Sequence, residues 1–161
     1  MIKRFNYILF YFGLIFFAAC SSSPKVKKQQ YAVLSNSKEF EEEFSTVWKG
    51  ILAATEEFKI VDKEADKGTM ETEWIYSTST EQYVEFTVNG FPRKHYIQSR
   101  YKYFINADKM MGKVKVTVST RQEIEKMKSD GNFDSWIESD TPDSSRAAEL
   151  INAIEFKMLS E

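Results

Sequence analysis

Cys20, His95 and the pair Glu71/Glu73 are the residues of this chain whose types and placement could do chemistry. His95, the sole histidine, lies in the run Arg93, Lys94, His95, Tyr96 after a turn signal. It could serve as a general base, but no nucleophile motif or second ligand type lies near it, so it reads as a surface residue of a basic loop. Zinc sites draw on Cys and His at recognisable spacings, and one of each leaves that route closed. Glu71 and Glu73 could act as the paired carboxylates of glycoside chemistry, yet they alternate with core-type residues as a solvated strand face does. The six glycines are scattered and form no phosphate-binding loop. The expectation is a non-enzyme without metal or cofactor, whose single chemical event is covalent and falls on Cys20.

Cys20 closes a three-part leader. Lys3 and Arg4 make a positive start, Phe5 to Phe17 is almost wholly apolar, and Ala18 and Ala19 are small residues before the thiol. That is the layout of a secretory signal. A cysteine after two alanines resembles the lipobox of bacterial lipoproteins, with Phe17 where leucine is usual. The resemblance implies that the thiol receives a diacylglyceryl group and, after cleavage, becomes the N-terminus. The apolar stretch is shorter than the roughly 20 residues that span a bilayer, and two or three acyl chains anchor a protein stably where one does not. Ser21, instead of the aspartate that marks inner-membrane retention, points by the same resemblance to an outer-membrane lipoprotein facing the periplasm.

Loss of residues 1–19 also removes Lys3 and Arg4, leaving 20 basic against 24 acidic residues. That balance gives no reason to expect nucleic acid as a partner. The remaining length suits one domain, large enough to bury about two thirds of its unfolded surface. Residues 20–37, polar and carrying Lys25, Lys27 and Lys28, read as the lipidated cysteine with a flexible tether. Residues 38–161 read as a single α+β domain. Charge is uneven along it: Lys38 to Asp66 and the stretch after Lys128 are acidic, while Phe91 to Lys128 holds ten basic and three acidic residues.

The periodicities supply the elements. From Glu39 to Phe58, apolar residues recur at steps of three and four (Phe40, Phe44, Val47, Trp48, Ile51, Phe58), predicting a helix capped by Ser37 with an acidic first turn. Lys59 to Lys63 reads as a short strand, Asp66 to Gly68 as a turn, and Thr69 to Tyr76 as a strand with Met70, Thr72, Trp74 and Tyr76 on its buried side. Tyr83 to Asn89 leads into the turn signal Asn89, Gly90, Phe91, Pro92. Tyr101, Tyr103 and Ile105 alternate with basic residues, as do Val114, Val116 and Val118. Gln122 to Asp140 has no clear period and reads as an irregular excursion. Thr141 as cap and Pro142 at the first position predict a final helix with Ala147, Leu150, Ile151, Ile154 and Met158 buried.

These elements predict an antiparallel sheet covered on one face by an N-terminal and a C-terminal helix. Its open face would carry Glu71, Glu73, Arg100, Lys102, Lys113 and Lys115. Cross-strand pairing of those charges accounts for much of the imbalance, each pair contributing about 0.2–1 kcal/mol. The four basic residues Arg100, Lys102, Lys113 and Lys115 are the candidate interaction face.

Phe44, Val47 and Trp48, then Lys59 to Asp62, then Gly68 to Trp74, Arg100 to Tyr103 and Arg146 to Leu159 together resemble the BamC (NlpB) domain of outer-membrane assembly lipoproteins. The resemblance covers roughly Glu39 to Leu159. It implies a helix-grip fold and a non-catalytic, membrane-anchored module that binds a protein partner in envelope or outer-membrane biogenesis. Two departures stand out: that family carries two such domains, and its unstructured N-terminal segment is far longer than the tether here. The alternative expectation is a binder of a small ligand or envelope polymer in a groove between helices and sheet. A deep apolar pocket would favour that alternative, and a flat, partly apolar surface outside the core would favour a protein partner.

Overall fold

The structure is a computed structural model that describes residues 25–29, 34–128 and 132–160. Within them the chain forms, in order, β1 (Lys27–Lys28), β2 (Ser37–Phe40), α1 (Phe44–Ala54), β3 (Ile60–Glu64), β4 (Thr69–Thr72), β5 (Ile75–Val88), β6 (Phe91–Met110), β7 (Lys113–Met127), β8 (Phe133–Glu138) and α2 (Ser145–Leu159). The predicted leader and Cys20 lie outside the described residues. No described helix is long and apolar enough to cross a membrane.

All eight strands join one antiparallel sheet. Its spine is the hairpin of β6 and β7, in register from Ser99↔Ile124 to Met110↔Lys113. On the far side of β6 lie β4, flanked by β3, and β5, flanked by β1. On the far side of β7 lie β2 and β8, end to end. The period-2 alternation read in the sequence sets the faces: Tyr101, Tyr103, Ile105 and Ala107 of β6 and Val114, Val116 and Val118 of β7 point inward. Both helices cover that same face. Val47, Trp48 and Ile51 of α1 meet Ala147, Leu150, Ile151 and Ile154 of α2 over those strands. Val47, Ile51, Val116, Val118 and Ile154 have no appreciable exposure, so the space between helices and sheet is filled by side chains. The α+β architecture is as the sequence predicts.

Several local expectations are corrected. The first helix begins at Phe44, not Glu39, and Ser37 does not cap it; the N-cap is Glu43, with no side-chain hydrogen bond. Residues 37–40 are instead a strand on the edge of β7. Phe40 is four residues before Phe44, a helical step, but Phe40 reaches the core from this strand, paired with Val114. The segment after Gln122 is regular: β7 continues to Met127 and β8 returns along it. The final helix starts at Ser145, after Thr141 and Pro142. His95 is exposed but stands in β6 opposite Val84, not in a loop. Part of the expected tether is built into the sheet, with Lys27 and Lys28 opposite Tyr83 and Gln82.

Candidate functional site

The four candidate basic residues all point away from the helices, but the structure does not bring them together. Lys102 stands across from Arg121, whereas Lys115 stands across from Asp108 and Lys113 across from Met110. Six strand positions separate the two groups, roughly 20 Å at about 3.3 Å per residue. Lys113 lies 3.5 Å from Glu39 and from Glu41, and Lys115 sits between Glu39 of β2 and Asp108 of β6 in the register. Arg100 Nη2 lies 2.5 Å from Glu123, and Lys102 pairs with Glu71. Burial works against the charge of Arg100, but the hydrogen bonds it donates to Glu123 and Tyr76 outweigh burial and hold its pKa above the ordinary arginine value. With carboxylates against Arg100, Lys102 and Lys113, this face is charge-matched and offers no open anion site at those three residues.

What gathers around Arg100 is aromatic, and the sequence reading missed it. The Arg100 guanidinium carbon lies 4.7 Å from the Trp74 ring centroid and 5.1 Å from that of Trp136. Lys102 and Arg121 also lie over Trp74, at 5.4 and 5.9 Å. Tyr76 meets Trp136 edge-on at 5.9 Å, and Phe133 packs against Trp136 at 5.4 Å. Such cation–π contacts contribute about 0.5–1 kcal/mol each at exposed sites. Trp74 is therefore not a core residue. The strand predicted from Thr69 to Tyr76 breaks after Thr72, where Glu73 N–H donates to Lys59 O at 2.7 Å, and β5 resumes at Ile75. The break shifts the alternation by one: Met70, Thr72 and Ile75 face the core side, while Trp74 and Tyr76 turn outward. A one-residue slip exchanges sheet faces in this way. Beside this cluster the outer face has an open concavity of about 470 Å³, lined by Asp62, Glu71, Phe104, Asn106, Thr117 and Ser119 among others.

A second polar assembly is buried where β5 meets the start of α2. Register is interrupted between Thr78 and Tyr83, and the interruption turns Ser79, Glu81 and Gln82 inward, each at most 3% exposed. Asp143 accepts from Ser79 Oγ at 2.8 Å and from Thr80 N–H at 2.8 Å, and its own N–H donates to Gln122 Oε1 at 2.6 Å. Glu81 Oε1 accepts from Ser144 N–H at 2.7 Å and Ser144 Oγ at 2.8 Å, while Lys28 Nζ stands 3.2 Å from Oε2. A carboxylate from another strand thus occupies the orphan donors and positive end of α2, the role that the sequence reading gave to Thr141. Apart from Gln122 Nε2, which has no hydrogen-bond partner among the described residues, these polar groups are satisfied within the network, which acts as a clasp of the fold.

Glu81 makes the clasp pH-dependent. Burial alone would raise its pKa, but the hydrogen bonds from Ser144 and Lys28 outweigh burial and hold the carboxyl below its ordinary range. A carboxylate with a depressed folded pKa adds stability that is present above its unfolded value, about 4.3, and is lost as pH falls through the folded value. Glu81→Gln should therefore flatten the decline of urea stability below about pH 4.3. Glu81→Ala should cost about 2–3 kcal/mol at neutral pH, the range for removing hydrogen bonds to a buried charge. An unchanged acid slope for Glu81→Gln would place the titrating group elsewhere.

Among the described residues, no three His, Cys, Asp or Glu side chains are grouped to hold a metal ion. No protein-family description matches the sequence, and no curated protein matches it. Among solved structures, the chain is similar to Ara h 8.0201, at 10% identity over 86% of this chain and 100% of that chain, with a TM-score of 0.34.

Proposed function

We propose that this chain is a lipid-anchored, non-catalytic interaction module of the bacterial envelope, helix-grip-like in arrangement and related to the BamC domain, which binds a protein partner through its outer sheet face. The observation that carries the reading is Arg100 set between Trp74 and Trp136 on the face opposite the helices. Trp, Tyr and Arg are the residues that dominate protein-interface energetics when a partner desolvates them. Partly exposed Phe104 and Phe133 extend the same region, and the concavity beside it gives relief to dock against. The packed helix–sheet interior speaks against the small-ligand alternative, which needs that space open.

The test is site-specific photo-crosslinking in the native membrane. A crosslinker placed at Phe104 or Tyr76 should give a discrete protein adduct, and one at Lys49, on the exposed side of α1, should give none. Trp136→Ala should weaken the Phe104 adduct by about tenfold or more, as loss of an interface hot spot does. Adducts from Lys49 without any from Phe104 and Tyr76 would move the interface to the helices and refute this reading.

A further inference from the structure

Beyond Tyr83 and Tyr96 the hairpin of β5 and β6 leaves the sheet as a two-stranded arm, paired from Val84↔His95 to Val88↔Phe91. The arm turns at Asn89 and Gly90, both with positive φ (51° and 81°), as a two-residue hairpin turn requires. Residues directly opposite in an antiparallel pair share a face. One face of the arm therefore carries Val84, Phe86, Val88 and Phe91, with Arg93 and His95 beside them. Its apolar side chains are open: Phe86, Val88 and Phe91 are 46%, 44% and 68% exposed. The other face is already occupied, with Lys94 4.3 Å from the Tyr83 ring centroid, Tyr83 against Tyr96, and Lys27 paired to Glu85. A lone two-stranded ribbon is marginal in water, so this one gains from a surface that covers its apolar side.

We infer that the arm is a membrane-contacting element whose Phe86, Val88 and Phe91 enter the interface of an anionic lipid bilayer. Charge selects that occupant. Lys25, Lys27, Arg93 and Lys94 surround the arm against the single carboxylate Glu85, which Lys27 pairs. Basic residues next to an anionic leaflet contribute about 1 kcal/mol each, while aromatic side chains supply the apolar burial of an interfacial element. Chain direction agrees. β1 runs antiparallel to β5, so the chain reaches Lys27 from the tip end of the arm. Cys20 lies seven residues earlier in the sequence, a contour of at most about 25 Å. Only this last point rests on the lipid-anchor reading; the arm's own residues carry the rest.

Residues 25–161 keep every contact described above and lack Cys20, so this fragment tests the arm apart from the anchor. It should cosediment with vesicles of phosphatidylcholine containing phosphatidylglycerol and not with phosphatidylcholine alone, with binding that falls as salt rises. Phe86→Ser with Phe91→Ser should weaken binding by about tenfold or more while leaving the urea transition in place, because both positions lie outside the core. Arg93→Glu with Lys94→Glu should abolish the preference for phosphatidylglycerol and retain both rings. In Phe91→Trp, the fluorescence added to that of the three native tryptophans should be quenched by brominated lipid. Binding unaffected by the double serine variant would overturn the inference, as would added fluorescence that stays unquenched in the bound Phe91→Trp protein. So would a fragment dimer that Phe91→Ser dissolves, since a second copy would then cover the arm. Loss of fatty-acid labelling is a separate measurement on the full chain, so the anchor and the arm fail independently.

Discussion

Gly68→Ala should destabilise the domain by about 3 kcal/mol, measured by urea unfolding of residues 25–161, from the conformational and packing costs together. Gly68 closes the turn between β3 and β4 at φ +72°, and an added Cβ would lie 2.3 Å from Ala107 O and 3.2 Å from Phe44 Cε2. Left-handed backbone costs an L-residue roughly 1–2 kcal/mol, and forcing atoms into a packed site costs about 1–3 kcal/mol more. The backbone is not free to retreat, because Ala107 N–H donates to Gly68 O at 2.8 Å and Met70 follows directly into the core. Gly112 is the control. It has the same φ of +72° at the β6–β7 turn, but an added Cβ there meets nothing within 4 Å. Gly112→Ala should cost only the conformational part, about 1–2 kcal/mol. Equal losses at the two glycines would mean that β4 and β6 part to admit the methyl, contrary to the packing described here.

Cys20→Ser should abolish incorporation of a fatty-acid analogue entirely and leave the chain as precursor or released from the membrane. The basis is chemical: a thioether anchor requires sulfur at the residue following the small pair Ala18 and Ala19, and the chain has no other cysteine to take its place. A secreted protein with a single thiol has no disulfide to form within itself, so the residue is available for modification. Metabolic labelling of the full-length chain, wild type against Cys20→Ser, reads the outcome. Label that persists in the serine variant would refute the anchor and with it the proposed outer-membrane location.

The parts of the fold legible in the sequence are those where one residue type repeats against water on the other side. Val114, Val116 and Val118 alternate with Lys113, Lys115 and Thr117, and the inward and outward sets fall as that pattern dictates. The Asn89 and Gly90 turn is equally plain, since both residue types tolerate the φ that a tight hairpin needs. Three elements are hidden for physical reasons. Phe40 sits one helical step before Phe44, so a strand and a helix that contribute to one core read as a single stripe. The break between Thr72 and Ile75 is fixed by a backbone hydrogen bond to Lys59 O, which leaves no mark in side-chain spacing. β8 is partly exposed along its length, so the burial contrast that makes alternation visible is weak. The aromatic cluster follows from that hidden break. Trp74, counted from Met70 as an inward residue, instead lies on the outside against Arg100, whose guanidinium also lies over Trp136.

The clasp at the start of α2 also constrains the order in which the domain can close. Lys28 Nζ donates to Thr141 O and Pro142 O, each at 3.1 Å, across sequence separations of 113 and 114 residues. Glu81 reaches 63 residues ahead to Ser144. Contacts of such span form late, because loop closure must precede any gain from them. If this chain is exported with its N-terminus leading, as the proposed anchor requires, Lys28 emerges early and Ser144 nearly last, so Glu81 waits without its partners until the C-terminal helix arrives. Translocation intermediates ending before Thr141 should therefore remain open and protease-sensitive, and the native state should be reached only after the chain has almost wholly crossed.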